Sequence, residues 1–536
     1  MLKTACLVAA LALACVLVRA ARVGMAGDYV DPVGKIAAED EARYANGAIR
    51  MAQSGGWLTP RFMGRLALDE PPLLYWLSGA GARIAGVSRL ALRAPIALVC
   101  ALALALVFLW AAELNGPLAG VCAALLLLGD HLWHVLGGMC MADGLLAAFV
   151  AGALYALFSD PSLESAGALW GFAGATTAGI LTKGLAGAMP LGILGVYWLA
   201  ARRSWRPSAR RAVLAGSLAL ALAAPWFVYQ WLAHGKWFWA EHASRIPGYG
   251  AGESLLLFYL SRISLADPIL VAISLAALPA LTQALRRREP AATLLAAWLA
   301  VGALAALVWQ SRNVAYLLPT IPAMAILASS FGPFAKDQAL RPGLVLALGA
   351  LAAKALLPSA PWGISFAGGT IEPLAPVVAN YCERSRGNEL ILVGLGDALY
   401  GAIEPLPRLR YADIGPLPHG GPDGLDFASM GIEVSAAQFA TLPDWLPRFR
   451  ARLREWGLDS SEPVATLILA RDSSQLADVV RARPASDFLA PDWLRSALEP
   501  AASANHDLVE AGAGHFLLLS RQARARTAPP AWSCRM

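Results

Sequence analysis

Apolar and polar stretches alternate along this chain at the length of membrane-spanning helices. Runs of about 20 mostly apolar residues, enough to cross a hydrocarbon core, fall near 90–112, 117–137, 142–158, 166–184, 186–201, 211–232, 265–285, 291–309, 314–332 and 341–358. A shorter run, Ala5 to Val18, follows Lys3 and precedes Arg19 and Arg22. It fits a signal-peptide core or a short first transmembrane helix, and the retained helix is favoured. Counted with it, the pattern predicts about eleven transmembrane helices. From residue 359 the hydropathy falls and the period changes. Glu389–Val393, Val464–Leu469 and His515–Leu519 read as strands, and Leu446–Trp456 reads as a helix between them. The predicted fold class is therefore a polytopic α-helical membrane protein, residues 1–358, followed by a soluble α/β domain, residues 359–536.

Composition agrees with this partition. The chain is 57% hydrophobic and 15% charged, against about 25% charged for an ordinary soluble domain, so a wholly soluble protein is excluded. The net charge of +6 matters less than its placement. Arg202, Arg203, Arg206, Arg210 and Arg211, then Arg286, Arg287 and Arg288, then Lys336 and Arg341, occupy alternate loops. The positive-inside rule puts those loops in the cytoplasm. Residues 24–88, 134–142, 181–187, 234–264 and 309–314, with the C-terminal domain, are then extracytoplasmic. No nucleic-acid partner is expected. Cys6, Cys15, Cys100, Cys122 and Cys140 lie in or beside apolar runs and read as packing residues. Cys382 and Cys534 fall in the polar tail, where an extracytoplasmic location permits a disulfide.

The polar stretch 38–76 carries two acidic pairs, Asp40-Glu41 and Asp69-Glu70, beside arginines and aromatics at a membrane surface. Charge is costly there unless a site needs it. Asp40, Arg43, Tyr44 and Gly47 follow helical spacing and share one face. That arrangement suits either an exposed ion pair or a carboxylate base held by an arginine. Pro71 and Pro72 predict an extended stretch before the next helix, with Tyr75 and Trp76 as an interfacial belt. Asp143 opens one span, as a helix cap or a site residue, and Lys183 closes another, by snorkelling or as a site residue. His242 and Arg245 share a face if their segment is helical, and Arg312 and Tyr316 lie at a further edge. All of these map to the extracytoplasmic side. Together they suit an anionic lipid headgroup, with cations for phosphate oxygens and carboxylates for a proton or a metal.

These motifs resemble the integral-membrane glycosyltransferases of the GT-C class. Within it they are most similar to the aminoarabinose-transferase and protein O-mannosyltransferase group, glycosyltransferase family 39 and its relatives. The residues that carry the resemblance are Asp40-Glu41-Ala42-Arg43-Tyr44, Gly56-Trp57-Leu58-Thr59-Pro60, Pro71 to Trp76, Asp143, Leu181-Thr182-Lys183-Gly184, Pro225-Trp226, Glu241 to Arg245, and Tyr316 to Pro319. The resemblance implies a bacterial inner-membrane enzyme. It would take a polyprenyl-phosphate-linked sugar as donor and a lipid, glycan or protein hydroxyl as acceptor, outside the membrane. It implies that Asp40 is the catalytic carboxylate, with Asp143 beside it as a second. Arg43, Lys183, Arg245 and Arg312 would contact the donor phosphate, and Tyr44, Glu70 and Tyr316 the substrate. Asp69 and His242 would hold a divalent metal. The aminoarabinose branch carries Glu-Lys-Pro where this chain has Asp69-Glu70-Pro71. Glu70 reverses a charge near phosphate, so it points away, binds a metal, or marks another donor or acceptor. A transporter of lipid-linked substrates is the alternative from another class, but it would place charge at the midplane in paired halves. A noncatalytic scaffold for the C-terminal domain is the other.

Overall fold

The computed structural model describes residues 39–62, 65–68, 70–235, 267–308, 314–331, 473–512 and 515–522. It also describes short pieces between 4 and 14, residues 238, 257 and 259–260, and the strand segments 389–393, 409–414, 425–426, 431–435 and 466–470. The expected span at 341–358, the helix at 446–456, and Cys382 and Cys534 lie outside these residues.

The membrane portion begins with α1 (Glu39–Ser54), a two-stranded ribbon β1 (Arg61–Phe62) and β2 (Arg65–Leu66), and α2 (Leu73–Ala85). It continues with α3 (Arg89–Asn115), α4 (Pro117–Gly129), α5 (His131–Leu136), α6 (Ala142–Ser159), α7 (Ala166–Lys183), α8 (Met189–Ala200) and α9 (Ala209–His234). After a gap come α10 (Pro268–Arg286), α11 (Pro290–Val308) and α12 (Ile321–Phe331). Among the described residues, six helical segments are long and apolar enough to cross a membrane, one of them running from Ala166 to Ala200 through α7 and α8. Two shorter apolar helical segments, Pro117–Gly129 and Ala315–Phe331, accompany them. The chain is thus a polytopic helical membrane protein.

The expected span 117–137 is divided. The Oδ1 of Asp130 accepts the Trp133 backbone N–H at 2.8 Å, so Asp130 ends α4 in an extended conformation and caps α5. The helices pack through one continuous apolar core in which Trp110, Trp133 and Trp298 are fully buried. Trp110 stacks on Phe158 and tilts against Trp298. Cys100, Cys122 and Cys140 are buried free thiols, as their apolar surroundings predict.

The C-terminal region holds an eight-stranded mixed sheet in the order β5-β6-β7-β4-β3-β8-β10-β9. Its strands are β3 (Glu389–Val393), β4 (Leu409–Ile414), β5 (Leu425–Asp426), β6 (Gly431–Ser435), β7 (Thr466–Ala470), β8 (Ser486–Pro491), β9 (His506–Gly512) and β10 (His515–Ser520). The middle pairings, β6–β7, β7–β4, β4–β3 and β3–β8, are parallel, and the pairings at both edges are antiparallel. Two helices, α13 (Ser473–Ala482) and α14 (Arg495–Ala502), pack on each other. This is the α/β organisation that the strand-like runs predict.

Candidate active site

The site is built on α1. The acidic pair and the spacing of Asp40, Arg43, Tyr44 and Gly47 predict a helix there, and α1 covers all four positions. One face of it is buried: Glu41, Tyr44, Ala45 and Ala48 follow one another at helical intervals and are almost without exposure. Asp40 and Arg43 occupy the first turns of the same helix, one position before Glu41 and one before Tyr44. Their side chains are outside the described residues.

Glu41 is the anchor. The Arg93 side chain donates to it twice, Nε to Oε1 at 2.6 Å and Nη2 to Oε2 at 2.6 Å. The backbone N–H of Cys140 adds a third bond to Oε1 at 2.8 Å. Ser78 Oγ on α2 lies 3.2 Å from Cys140 Sγ. One carboxylate therefore ties α1 to α3 and to the turn before α6, and that turn is tied in its own right to α2. Burial pushes the Cys140 thiol up to about 12, partly offset by the Ser78 contact, so this sulfur packs rather than reacts. At the far end of α1, the Arg83 guanidinium donates to the Ala52 carbonyl at 3.0 Å and satisfies a helix-end acceptor.

Glu70 does not point away from the site. It is buried, and the Tyr44 hydroxyl donates to its Oε1 at 3.4 Å. Tyr44 also meets the Tyr75 ring edge-on at 5.9 Å. Tyr75 is fully buried, and the Trp76 indole N–H donates to the Trp57 carbonyl at 2.6 Å. Tyr75 faces inward rather than into the interfacial belt that the sequence predicts, because it packs on Tyr44, while Trp76 is half-buried. Pro72 is helical rather than extended and forms the N-cap of α2. Two prolines here start a helix, since their fixed φ also suits a first turn.

Asp143 and Lys183 come together. Asp143 lies in the first turn of α6 and makes no capping bond; Met141 holds the cap position. Lys183 is the last residue of α7, where a cation suits the helix dipole. Its Nζ donates to Asp143 Oδ1 at 2.5 Å and lies 5.1 Å from the centre of the Tyr316 ring. Glu70 is within electrostatic reach of the same ammonium. Gly144 permits the arrangement, because a Cβ there would come 2.5 Å from the Leu136 carbonyl oxygen, holding α6 off the α5 turn. Lys183, Asp143, Glu70, Tyr44 and Tyr316 thus form one constellation. Among the expected site residues, Asp69, His242, Arg245 and Arg312 lie outside the described residues.

The loop between α1 and β1 is held to α9. The Leu58 carbonyl accepts from the Trp226 indole at 2.8 Å and from the Gln230 amide at 2.6 Å, and the Thr59 hydroxyl donates to Gln230 Oε1 at 3.3 Å. The Gly56–Pro60 and Pro225-Trp226 motifs are therefore halves of one clamp. Glu41, Arg93 and Gln230 escaped the sequence reading as site-building residues. Arg93 and Gln230 carried a signal, as polar side chains inside apolar spans. Glu41 carried none that separated it from Asp40.

The helices define a class, the polytopic helical membrane proteins. ArnT from Cupriavidus metallidurans, in the crystal structure bound to undecaprenyl phosphate, superposes with a TM-score of 0.65 at 18% identity, over 96% of this chain and 97% of that one. Its apo structure gives 0.64 at 17% identity. Residues 69–229 match the model of the dolichyl-phosphate-mannose-protein mannosyltransferase family. The chain is 30% identical over 354 residues to the undecaprenyl phosphate-alpha-4-amino-4-deoxy-L-arabinose arabinosyl transferase of Edwardsiella ictaluri, covering 61% of this chain and 62% of the relative. It is 28% identical to transferase 2 of the same description from Pseudomonas fluorescens, over 56% of each. The chain thus spans less than two thirds of the length of these curated relatives.

Proposed function

We propose that this protein is a glycosyltransferase that moves a sugar from a polyprenyl-phosphate donor to an acceptor on the extracytoplasmic side of a bacterial inner membrane. The observation that carries this reading is the meeting of Lys183, Asp143, Glu70, Tyr44 and Tyr316 at one end of the helices, directly behind the first turns of α1. A lipid phosphate needs fixed cations where charge develops as its bond to sugar breaks. The relative of the same fold was crystallised with undecaprenyl phosphate. An acceptor needs a carboxylate beside that phosphate.

In this reading the acceptor oxygen attacks the anomeric carbon, the bond from that carbon to the phosphate oxygen breaks, and the polyprenyl phosphate leaves with the bonding pair. Where the acceptor is a hydroxyl, Asp40 orients it and takes its proton; where it is a phosphate, as in lipid A modification, a base is less necessary and Asp40 mainly positions it. Arg43, Lys183, Arg245 and Arg312 neutralise the leaving phosphate. An ammonium has three N–H donors. Asp143 engages one on Lys183, so Asp143 acts through Lys183 as a positioning residue while other donors turn to the substrate. Tyr316 and Tyr44 shape the approach. Among the described residues no three His, Cys, Asp or Glu side chains gather. A divalent ion would therefore rest on Asp69 and His242, adding positive charge at the phosphate, and no step here runs through it. A lipid A-type glycolipid is the acceptor proposed first, by analogy with the aminoarabinose transferases; an envelope glycan or protein hydroxyl is the next.

Asp40→Asn tests the mechanism. Membranes containing the variant, given polyprenyl-linked sugar and envelope acceptors, should transfer about 100-fold less sugar than wild type. Transfer at the wild-type rate would remove Asp40 from the chemistry.

A further inference from the structure

A second cluster of charge, made of arginines, lies in the loop between α8 and α9. Arginines at the end of a span ordinarily set topology and bind nothing in particular. This loop differs in being built. A 3-10 turn, Arg203–Trp205, joins the two helices. The Tyr197 hydroxyl donates to the Trp205 carbonyl at 2.6 Å, and the Trp198 indole to the Pro207 carbonyl at 3.0 Å. The Arg206 guanidinium lies 4.0 Å from the centre of the Trp198 ring and donates to that residue's carbonyl. The Arg202 guanidinium lies 5.1 Å from the Trp205 ring. The aromatic planes fix guanidiniums that would otherwise swing freely.

The charge of this loop is scarcely neutralised. Glu164 pairs with Arg211 at 2.9 Å, and Asp160 is occupied by Ser162 and Ser165. Among the described residues Arg202, Arg203, Arg206 and Arg210 form no ion pair, and Arg203 and Arg210 are exposed. On the helices that flank this loop, α8 and α9, Val196, Leu199, Val213 and Leu214 are exposed, Leu199 to 76% and Val213 to 67%. Planar cations flanked by exposed apolar side chains match a molecule with an anionic head and hydrocarbon tails.

We infer that this loop binds the phosphate headgroup of an anionic glycerophospholipid whose acyl chains lie along Val196, Leu199 and Val213. The site goes beyond the proposed transferase chemistry and stands without it. The basic end of α10, Arg286 to Arg288, has no comparable aromatic bracket among the described residues and serves as the control.

Native mass spectrometry of the full-length protein tests this, using dioleoyl-phosphatidylglycerol against dioleoyl-phosphatidylcholine. Wild type should retain phosphatidylglycerol at least tenfold more tightly. Each arginine near a headgroup is worth about fivefold in affinity, so Arg202→Gln with Arg206→Gln, which removes the two bracketed guanidiniums, should lower phosphatidylglycerol binding about 25-fold. An unchanged thermal unfolding midpoint separates lost lipid binding from misfolding. Arg286→Gln with Arg287→Gln should leave the preference intact. Equal retention of the two lipids by wild type would overturn the site, and so would equal losses in the two double variants. Displacement of the lipid by millimolar inorganic phosphate would also overturn it, as the mark of a simple anion site.

Discussion

The ion pairs Glu41–Arg93 and Asp143–Lys183 both tie elements of the membrane portion together, and they are built in opposite ways. Glu41 and Arg93 are 0% and 1% exposed at the side chain. The pair is bidentate, and a backbone N–H adds to it. Asp143 and Lys183 are 8% and 16% exposed and share a single bond. A buried pair with its hydrogen bonds satisfied is a fastener, because any other geometry leaves charge unpaired in a medium of low polarity. A less deeply buried pair that shares one bond keeps further N–H donors on its ammonium for another partner. The first pair fixes where α1 stands. The second places a cation near it. In the proposed reading, site building and site chemistry are divided between these neighbouring charges.

The sharpest way to break this comparison is to unpair the fastener. Arg93→Met leaves Glu41 buried without its guanidinium, which should cost about 3–5 kcal/mol and appear as a collapse in the yield of folded protein from detergent extracts. Glu41→Leu combined with Arg93→Met should recover much of that yield. If the double variant folds as poorly as the single one, the pair is not what fails. Next in size is Lys183→Met. Sugar transfer should fall about 100- to 1,000-fold, while the thermal unfolding midpoint falls less than in Arg93→Met, because this pair is less deeply buried and makes one bond rather than two. A midpoint that drops as far as in Arg93→Met would erase the distinction between the pairs.

A smaller effect is expected at Asp160, where the α6–α7 turn is held by hydrogen bonds rather than by a cation. Burial alone would raise this carboxyl, but bonds from Ser162 and Ser165 outweigh it and bring it down to about 2. The folded value lies below the unfolded one. The stabilisation is therefore present above about pH 4 and is lost as the pH falls toward 2. The difference in unfolding midpoint between wild type and Asp160→Asn should be flat above pH 4 and vanish below it. The smallest effect belongs to Arg495, which bonds Asp492 and Glu510 on the exposed surface of the C-terminal region. Arg495→Gln should leave the unfolding midpoint unmoved, because water already solvates these charges. A clear drop would mean that ion pairing alone, without burial, governs stability here.

The membrane helices were legible because lipid demands unbroken apolar runs. Hydropathy predicts spans at 166–184 and 186–201, and α7 and α8 end within a few residues of those limits. It merges α4 with α5, since one aspartate in an apolar run does not announce that it will cap the next helix. The site was legible as residue types. The pairing was not. Glu41 finds Arg93 across 52 positions and Cys140 across 99, and no local pattern encodes such partners. Asp40 and Glu41 are chemically alike and adjacent, so spacing alone could not tell which of them turns inward. Tyr75 misled for a related reason: aromatics suit a membrane interface and a packed junction equally well.

The clamp on Leu58 has a mechanical consequence. With Trp226 and Gln230 both holding one carbonyl, the Trp57–Thr59 loop cannot part from α9, and through the Trp76 indole it cannot part from α2 either. If α9 tilted aside, it would drag the loop and α2 with it and disturb the first turns of α1. Any opening of the bundle that spares the first turns of α1 therefore has to leave this stretch of α9 still.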